Sequence, residues 1–131
     1  MSLFYDTLDT PLGTLTLEAS ERGLSSIRFA NRPQPMVGKT GWSSVLKLAK
    51  RELTAYFARQ LRAFSVPLDW HGTAFQESVW HALTDIPYGE TVSYADIARA
   101  IGRPRSARPT GGAVGRNPLP IIVPCHRVIG A

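Results

Sequence analysis

The chain has 131 residues, is 44% hydrophobic and carries a net charge of +5. With no apolar run near the ~20 residues that cross a bilayer, it reads as one or two small globular domains and not as a membrane-bound or disordered protein. A single cysteine excludes a disulfide framework, and the opening MSLFYDTLDT lacks the basic stretch and apolar core of a secretory signal, so a reducing cytoplasm is the expected location.

In chain order, FYDTLD and TLTLEAS alternate around the turn signal TPLG, and LSSIRFA follows SERG; together they predict an antiparallel meander. Asn31 to Gly41, rich in Pro and Gly, reads as loop. Ser44 to Gln60 sets Leu46, Ala49, Leu53 and Phe57 at helical intervals, with Lys and Arg between them, which predicts an amphipathic helix packed on the sheet. Ala63 to Trp70 predicts one more strand. His71-Gly72-Thr73 then closes a first domain of residues 1–70 and leaves 71–131 as a second.

The second half is built from short helices. Thr73 with Gln76 has the form of a capping box, and Phe75, Val79 and Leu83 make one apolar stripe that ends by Pro87. PYGE is a turn. Ser93 caps a helix from Tyr94 to Ala100, with Ile97, Ala98 and Ile101 facing inward and Gly102 and Pro104 stopping it. A further helix begins near Arg108 with Pro109 at its first position, where a missing N–H loses nothing. Gly111 and Gly112 weaken it, each by ~1 kcal/mol relative to Ala.

Charge is segregated along the chain. From Ile97 to Ala131 there is no Asp or Glu beside Arg99, Arg103, Arg105, Arg108, Arg116 and Arg127, whereas residues 1–96 balance nine basic against ten acidic side chains. Such a segment attracts polyanions, nucleic acid first, although a merely solvated arginine face is the alternative on charge alone. A helix, a Gly/Pro turn and a small-residue helix among arginines suggest a helix-turn-helix. Thr110, Gly111, Gly112 and Ala113 would let a backbone lie close to a groove, with Arg108 at the leading end.

The end of the chain carries the chemistry. Asn117-Pro118 signals a turn, and Ile121, Ile122 and Val123 predict a short buried strand delivering Pro124-Cys125 to a fixed place. A free cysteine is most often a small core hydrophobe. Here His126 can take its proton, cationic Arg127 favours a thiolate and prolines fix the approach, which together point to a nucleophile. Neighbours along a strand face opposite ways, so a water is expected to link Cys125 to His126. His71 and His81 have no supporting context. One cysteine and three scattered histidines do not make a four-ligand metal set, and no metal or other cofactor is expected.

PCHRV, preceded by NPLPIIV and followed by IG, resembles the active-site signature of the O6-alkylguanine-DNA alkyltransferases, the methylated-DNA–protein-cysteine methyltransferases. FQESVWHAL, IPYGETVSYADIARAIG, the SAR…GGAVGRNP block and IIVPCHRVIG align in order. The resemblance implies an α+β protein: an N-terminal ribonuclease H-like sheet-and-helix domain, then a C-terminal helix-turn-helix, winged-helix-like domain. It implies a partner, double-stranded DNA carrying O6-alkylguanine or O4-alkylthymine, from which the flipped base gives its alkyl group irreversibly to cysteine. It also implies a monomeric full-length form.

Carried over by position, Cys125 is the nucleophile and His126 its base through water. Tyr94 crowds the phosphate and bonds the flipped base, Arg108 fills the gap in the duplex, and Asn117 braces the turn before the nucleophile. Gly111, Gly112, Ala113 and Arg116 complete the DNA face, while Pro120 and the backbone of Cys125 and Val128 line the pocket. The chain departs from relatives at Pro109-Thr110, where Ala-Val is common. The sequence also stops at Ala131, before the glycine-rich loop and the helix whose glutamate polarises the relay: either the natural chain runs on past Ala131, or this is a shortened form with a half-open pocket, in which a slower cysteine is expected. A non-transferring alkylated-DNA binder, a plain helix-turn-helix regulator and a cysteine hydrolase each explain only part of this pattern; the first has tryptophan in the cysteine position.

Overall fold

Three strands, β1 (Phe4–Thr10), β2 (Gly13–Ala19) and β3 (Leu24–Phe29), form an antiparallel sheet in that order. Its register pairs Leu8 with Leu15 and Leu17 with Ile27, so one face gathers the aliphatic side chains. The β1–β2 turn closes with Thr10 Oγ1 donating to the Gly13 oxygen at 2.8 Å, and Gly13 takes φ +100°, a region that favours glycine. Helix α1 (Ser44–Phe57) covers the sheet with Leu46, Ala49 and Leu53, all buried like Leu15, Leu17 and Ala19 opposite. Ser43 caps it by accepting from the Leu46 N–H.

This computed structural model describes residues 3–29 and 40–129. The chain divides into two units, Met1–Trp70 and His71–Ala131. Of the expected loop Asn31–Gly41, all but Thr40 and Gly41 lie outside the described residues. No helix among the described residues is long and apolar enough to cross a membrane.

The expected strand over Ala63–Trp70 does not form; Leu68 makes only an isolated parallel bridge with Leu24. Two of its donors are engaged elsewhere. The Ser65 and Val66 N–H groups both donate to the Glu52 carboxylate, at 3.0 and 2.9 Å, and Pro67 has no N–H to give. The segment passes so close to Gly23 that a Cβ there would lie 2.6 Å from the Pro67 oxygen, which fixes glycine at that position.

In the second unit the local signals act as written. Helix α2 (Ala74–Thr84) starts on a complete Thr73–Gln76 capping box, and α3 (Tyr94–Ala100) starts on a second box between Ser93 and Asp96. Helix α4 (Ala107–Gly115) packs on both, and the Trp80 indole N–H, itself buried, donates to the Ala113 oxygen at 2.9 Å. Two-residue strands β4 (Val92–Ser93) and β5 (Val128–Ile129) pair in parallel.

Three expectations for this unit change. Helix α4 begins one residue before Arg108, so Pro109 is its third residue; the position is still harmless, because the first turn's N–H groups have no helical acceptor. Ile101, expected to face inward, is the half-buried C-terminal cap of α3. Ile121–Val123 is buried but not a strand. There the Val123 N–H turns back to the Leu119 oxygen at 2.8 Å and Ile121 takes φ +78°. Prolines 118, 120 and 124 break any continuous row of donors, and the strand comes after the cysteine, as β5.

Candidate active site

Cys125 opens a 3-10 turn (Cys125–Arg127) and is free and half-buried. Three attachments hold this turn. Ahead of it, the Asn117 carboxamide uses both ends: Nδ2 donates to the Val123 oxygen at 2.7 Å, and Oδ1 accepts from the Leu119 N–H at 2.9 Å. The same Val123 oxygen accepts from the Cys125 N–H at 2.8 Å. Behind it, β5 pairs with β4, and Ser93 of β4 is the residue that caps α3. From the side, Arg127 Nη1 donates to the Ile86 oxygen at 2.8 Å while its guanidinium lies 5.4 Å from the centre of the Tyr88 ring.

The turn changes the geometry expected of a strand. With about three residues per turn, successive side chains diverge by roughly a third of a circle rather than pointing to opposite faces. Cys125 and His126 make no direct hydrogen bond with each other among the described residues. His126 is exposed at its edge, yet its proton affinity lies below the ordinary imidazole value, first because protein displaces water around it and then because of the Arg127 charge. That environment favours the neutral, proton-accepting form near pH 7.

Tyr94, the first residue of α3, is half-buried, and its ring lies 3.8 Å from where a Cβ on Gly111 would be. A Cβ at that distance would make ordinary van der Waals contact, so Tyr94 lies against α4 beside Gly111 without needing its bare backbone. Arg108 and Arg116, at opposite ends of α4, are exposed, as is Gly112, with Arg116 Nη1 3.7 Å from its Cβ position. Thr110 and Ala113, expected on the same approach face, are instead buried, Thr110 completely. A helix this short can show only one side to a groove, and theirs packs on α2 and α3.

The other arginines divide by role. Arg99 pairs with the capping Asp96, Arg103 lies 6.0 Å from the Phe75 ring centre, and Arg127 turns to Ile86. Pro120 is half-buried and Val128 buried, on either side of Cys125 in the chain. Sequence reasoning missed Tyr88 and Ile86 as the seat of Arg127; the aromatic residue in the PYGE turn was the one available signal.

Comparison with known proteins fits this arrangement. Residues 3–70 match the family described as 6-O-methylguanine DNA methyltransferase, ribonuclease-like domain, and residues 74–131 match its DNA binding domain. The chain is 44% identical over 132 residues to the methylated-DNA–protein-cysteine methyltransferase of Methanosarcina acetivorans, covering 98% of this chain and 85% of that protein. It is 44% identical over 133 residues to the constitutive enzyme of Bacillus subtilis, covering 97% and 81%. The crystal structure of Mycobacterium tuberculosis OGT in complex with DNA superimposes with a TM-score of 0.88 at 48% identity, over 98% of this chain and 79% of that one. The first unit is thus a ribonuclease-like domain and the second a DNA-binding domain, and the chain belongs to the 6-O-methylguanine DNA methyltransferase family.

Proposed function

We propose that this chain repairs DNA by direct reversal, with Cys125 as the acceptor of the alkyl group from O6-alkylguanine. The sulfur, as thiolate, attacks the sp³ carbon in line. A carbon–sulfur bond forms, the carbon–O6 bond breaks, and guanine keeps the electron pair and takes up a proton. The thioether is stable, so each molecule reacts once.

In this reading His126, kept neutral, takes the thiol proton through a water, and the Tyr94 phenol donates a hydrogen bond to the base. Asn117 holds the turn before the nucleophile. Pro120 and Val128 flank the base pocket, and Arg108, Gly111, Gly112 and Arg116 meet the duplex. The base must leave the stack to reach a half-buried sulfur. A duplex partner is supported by the similar M. tuberculosis OGT, whose structure was determined with DNA. A cytoplasmic location suits the reaction, since a reducing compartment keeps the lone thiol free.

The observation that carries this reading is the PCHR turn, with its cysteine free and pinned from three sides, in a chain about 45% identical to methylated-DNA–protein-cysteine methyltransferases. Intact-mass measurement after incubation with a duplex containing O6-methylguanine tests it. One added methylene mass, absent from Cys125→Ser, is expected; DNA binding without any mass gain would reject Cys125 as acceptor.

A further inference from the structure

Between residues 40 and 68 the chain carries five cations, Lys47, Lys50, Arg51, Arg59 and Arg62, against one acid, Glu52. That acid is turned inward to the Ser65 and Val66 N–H groups and leaves the surface of α1 without a negative charge. Lys50 is paired with Asp6 at 3.0 Å. Lys47 and Arg51 have no carboxylate partner among the described residues.

Both unpaired cations lie on one exposed stripe of α1, with Ser44 and Thr54, and are one helical turn apart. The placement works against the helix. Like charges at i and i+4 repel, Lys47 in the N-terminal half opposes the macrodipole, and no acid in the first turn offsets it. Just before the helix, Trp42 is 69% exposed, with Lys47 Nζ 5.8 Å from its ring centre. An exposed indole beside two uncompensated cations combines a stacking platform with phosphate contacts, the pairing used to hold unpaired bases.

We propose that Trp42, Lys47 and Arg51 form a binding surface for single-stranded nucleic acid on the ribonuclease-like domain, apart from the arginines of α4. A base stacks on Trp42 and the adjoining phosphates meet Lys47 and Arg51. The contact is independent of sequence and of Cys125.

Anisotropy titration of a labelled oligothymidylate across a range of salt concentrations tests this with the full chain. Lys47→Ala combined with Arg51→Ala is expected to lower the slope of log affinity against log salt by about 1.4, for two phosphates lost. Trp42→Ala is expected to weaken binding about five-fold or more. All three positions are exposed, so folding is checked simply by thermal melting, and alkyl transfer from saturating duplex stays at the wild-type rate. Unchanged affinity and slope would overturn the proposal and leave a solvated face. Loss of binding to phosphatidylglycerol vesicles with oligothymidylate binding intact would overturn it in favour of a membrane. Neither result depends on whether Cys125 accepts alkyl groups.

Discussion

The guanidinium of Arg127 reaches back to the buried residue Ile86 and donates to its backbone oxygen at 2.8 Å. The residue that follows His126 therefore carries its charge inward, to the turn before α3. Arg127→Met leaves that oxygen without its donor and is expected to cost about 1–3 kcal/mol of stability in urea melts. Single-turnover transfer slows more than DNA affinity falls, and Arg127→Lys recovers part of both. A variant with wild-type stability and rate would show that the bond holds nothing in place.

His126 gives a pH dependence whose sign follows from its surroundings. Desolvation and the Arg127 charge hold its folded-state value below 6.5. In the role proposed for His126, transfer is therefore expected to stay level as pH falls to 6.5 and to decline only below it, as the imidazole protonates and can no longer accept the Cys125 proton. Stability follows the same direction: the unfolded chain binds this proton more readily, so nothing is lost above pH 6.5 and stability drops beneath it. A rate profile bending at or above 6.5 would contradict this.

Thr110 is fully buried, and its hydroxyl has no hydrogen-bond partner. Thr110→Val keeps the shape and removes an unsatisfied polar atom, so a gain of about 1–2 kcal/mol is expected in thermal or urea denaturation. Affinity for duplex should not change, because the side chain faces α2 and α3 rather than the surface. A loss of stability would mean that the hydroxyl is satisfied in solution.

Glu52 receives the Ser65 N–H, the Ser65 hydroxyl and the Val66 N–H on one carboxylate. Glu52→Gln turns an amide group toward donors that need an acceptor. A loss of about 1–3 kcal/mol is expected, with transfer per folded molecule unchanged. Equal stability would show that the loop rearranges at no cost.

The pattern of what could be read in advance follows the range of the forces. Thr73–Gln76 was legible because a capping box is complete within four residues, and Ser93 was legible as a cap, although its partner Asp96 was not singled out. The three strands were legible because each alternates about its own turn. Ala63–Trp70 and Ile121–Val123 looked like strands for their apolar content alone; Glu52 and Asn117, placed by tertiary packing, took hydrogen-bonding groups of those segments. Cys125 stood out through its neighbours in the chain. The seat of its turn did not, since Arg127 meets Ile86 across 41 residues. The inward side of α4 was also hidden, because small residues such as Ala113 suit a groove and a core equally well.

That same span bears on the order of events in folding. Helices α2 and α3 carry their start signals within themselves and can form early, whereas the turn at Cys125 is fastened by a bond closing a 41-residue interval and by strands of two residues each. Long-range closures repay their entropy only after the elements they join are in place. Cys125 is thus expected to settle late, and hydrogen exchange on warming is expected to open the amides of its turn before those of α2 and α3, which would make readiness to react more fragile than the fold itself.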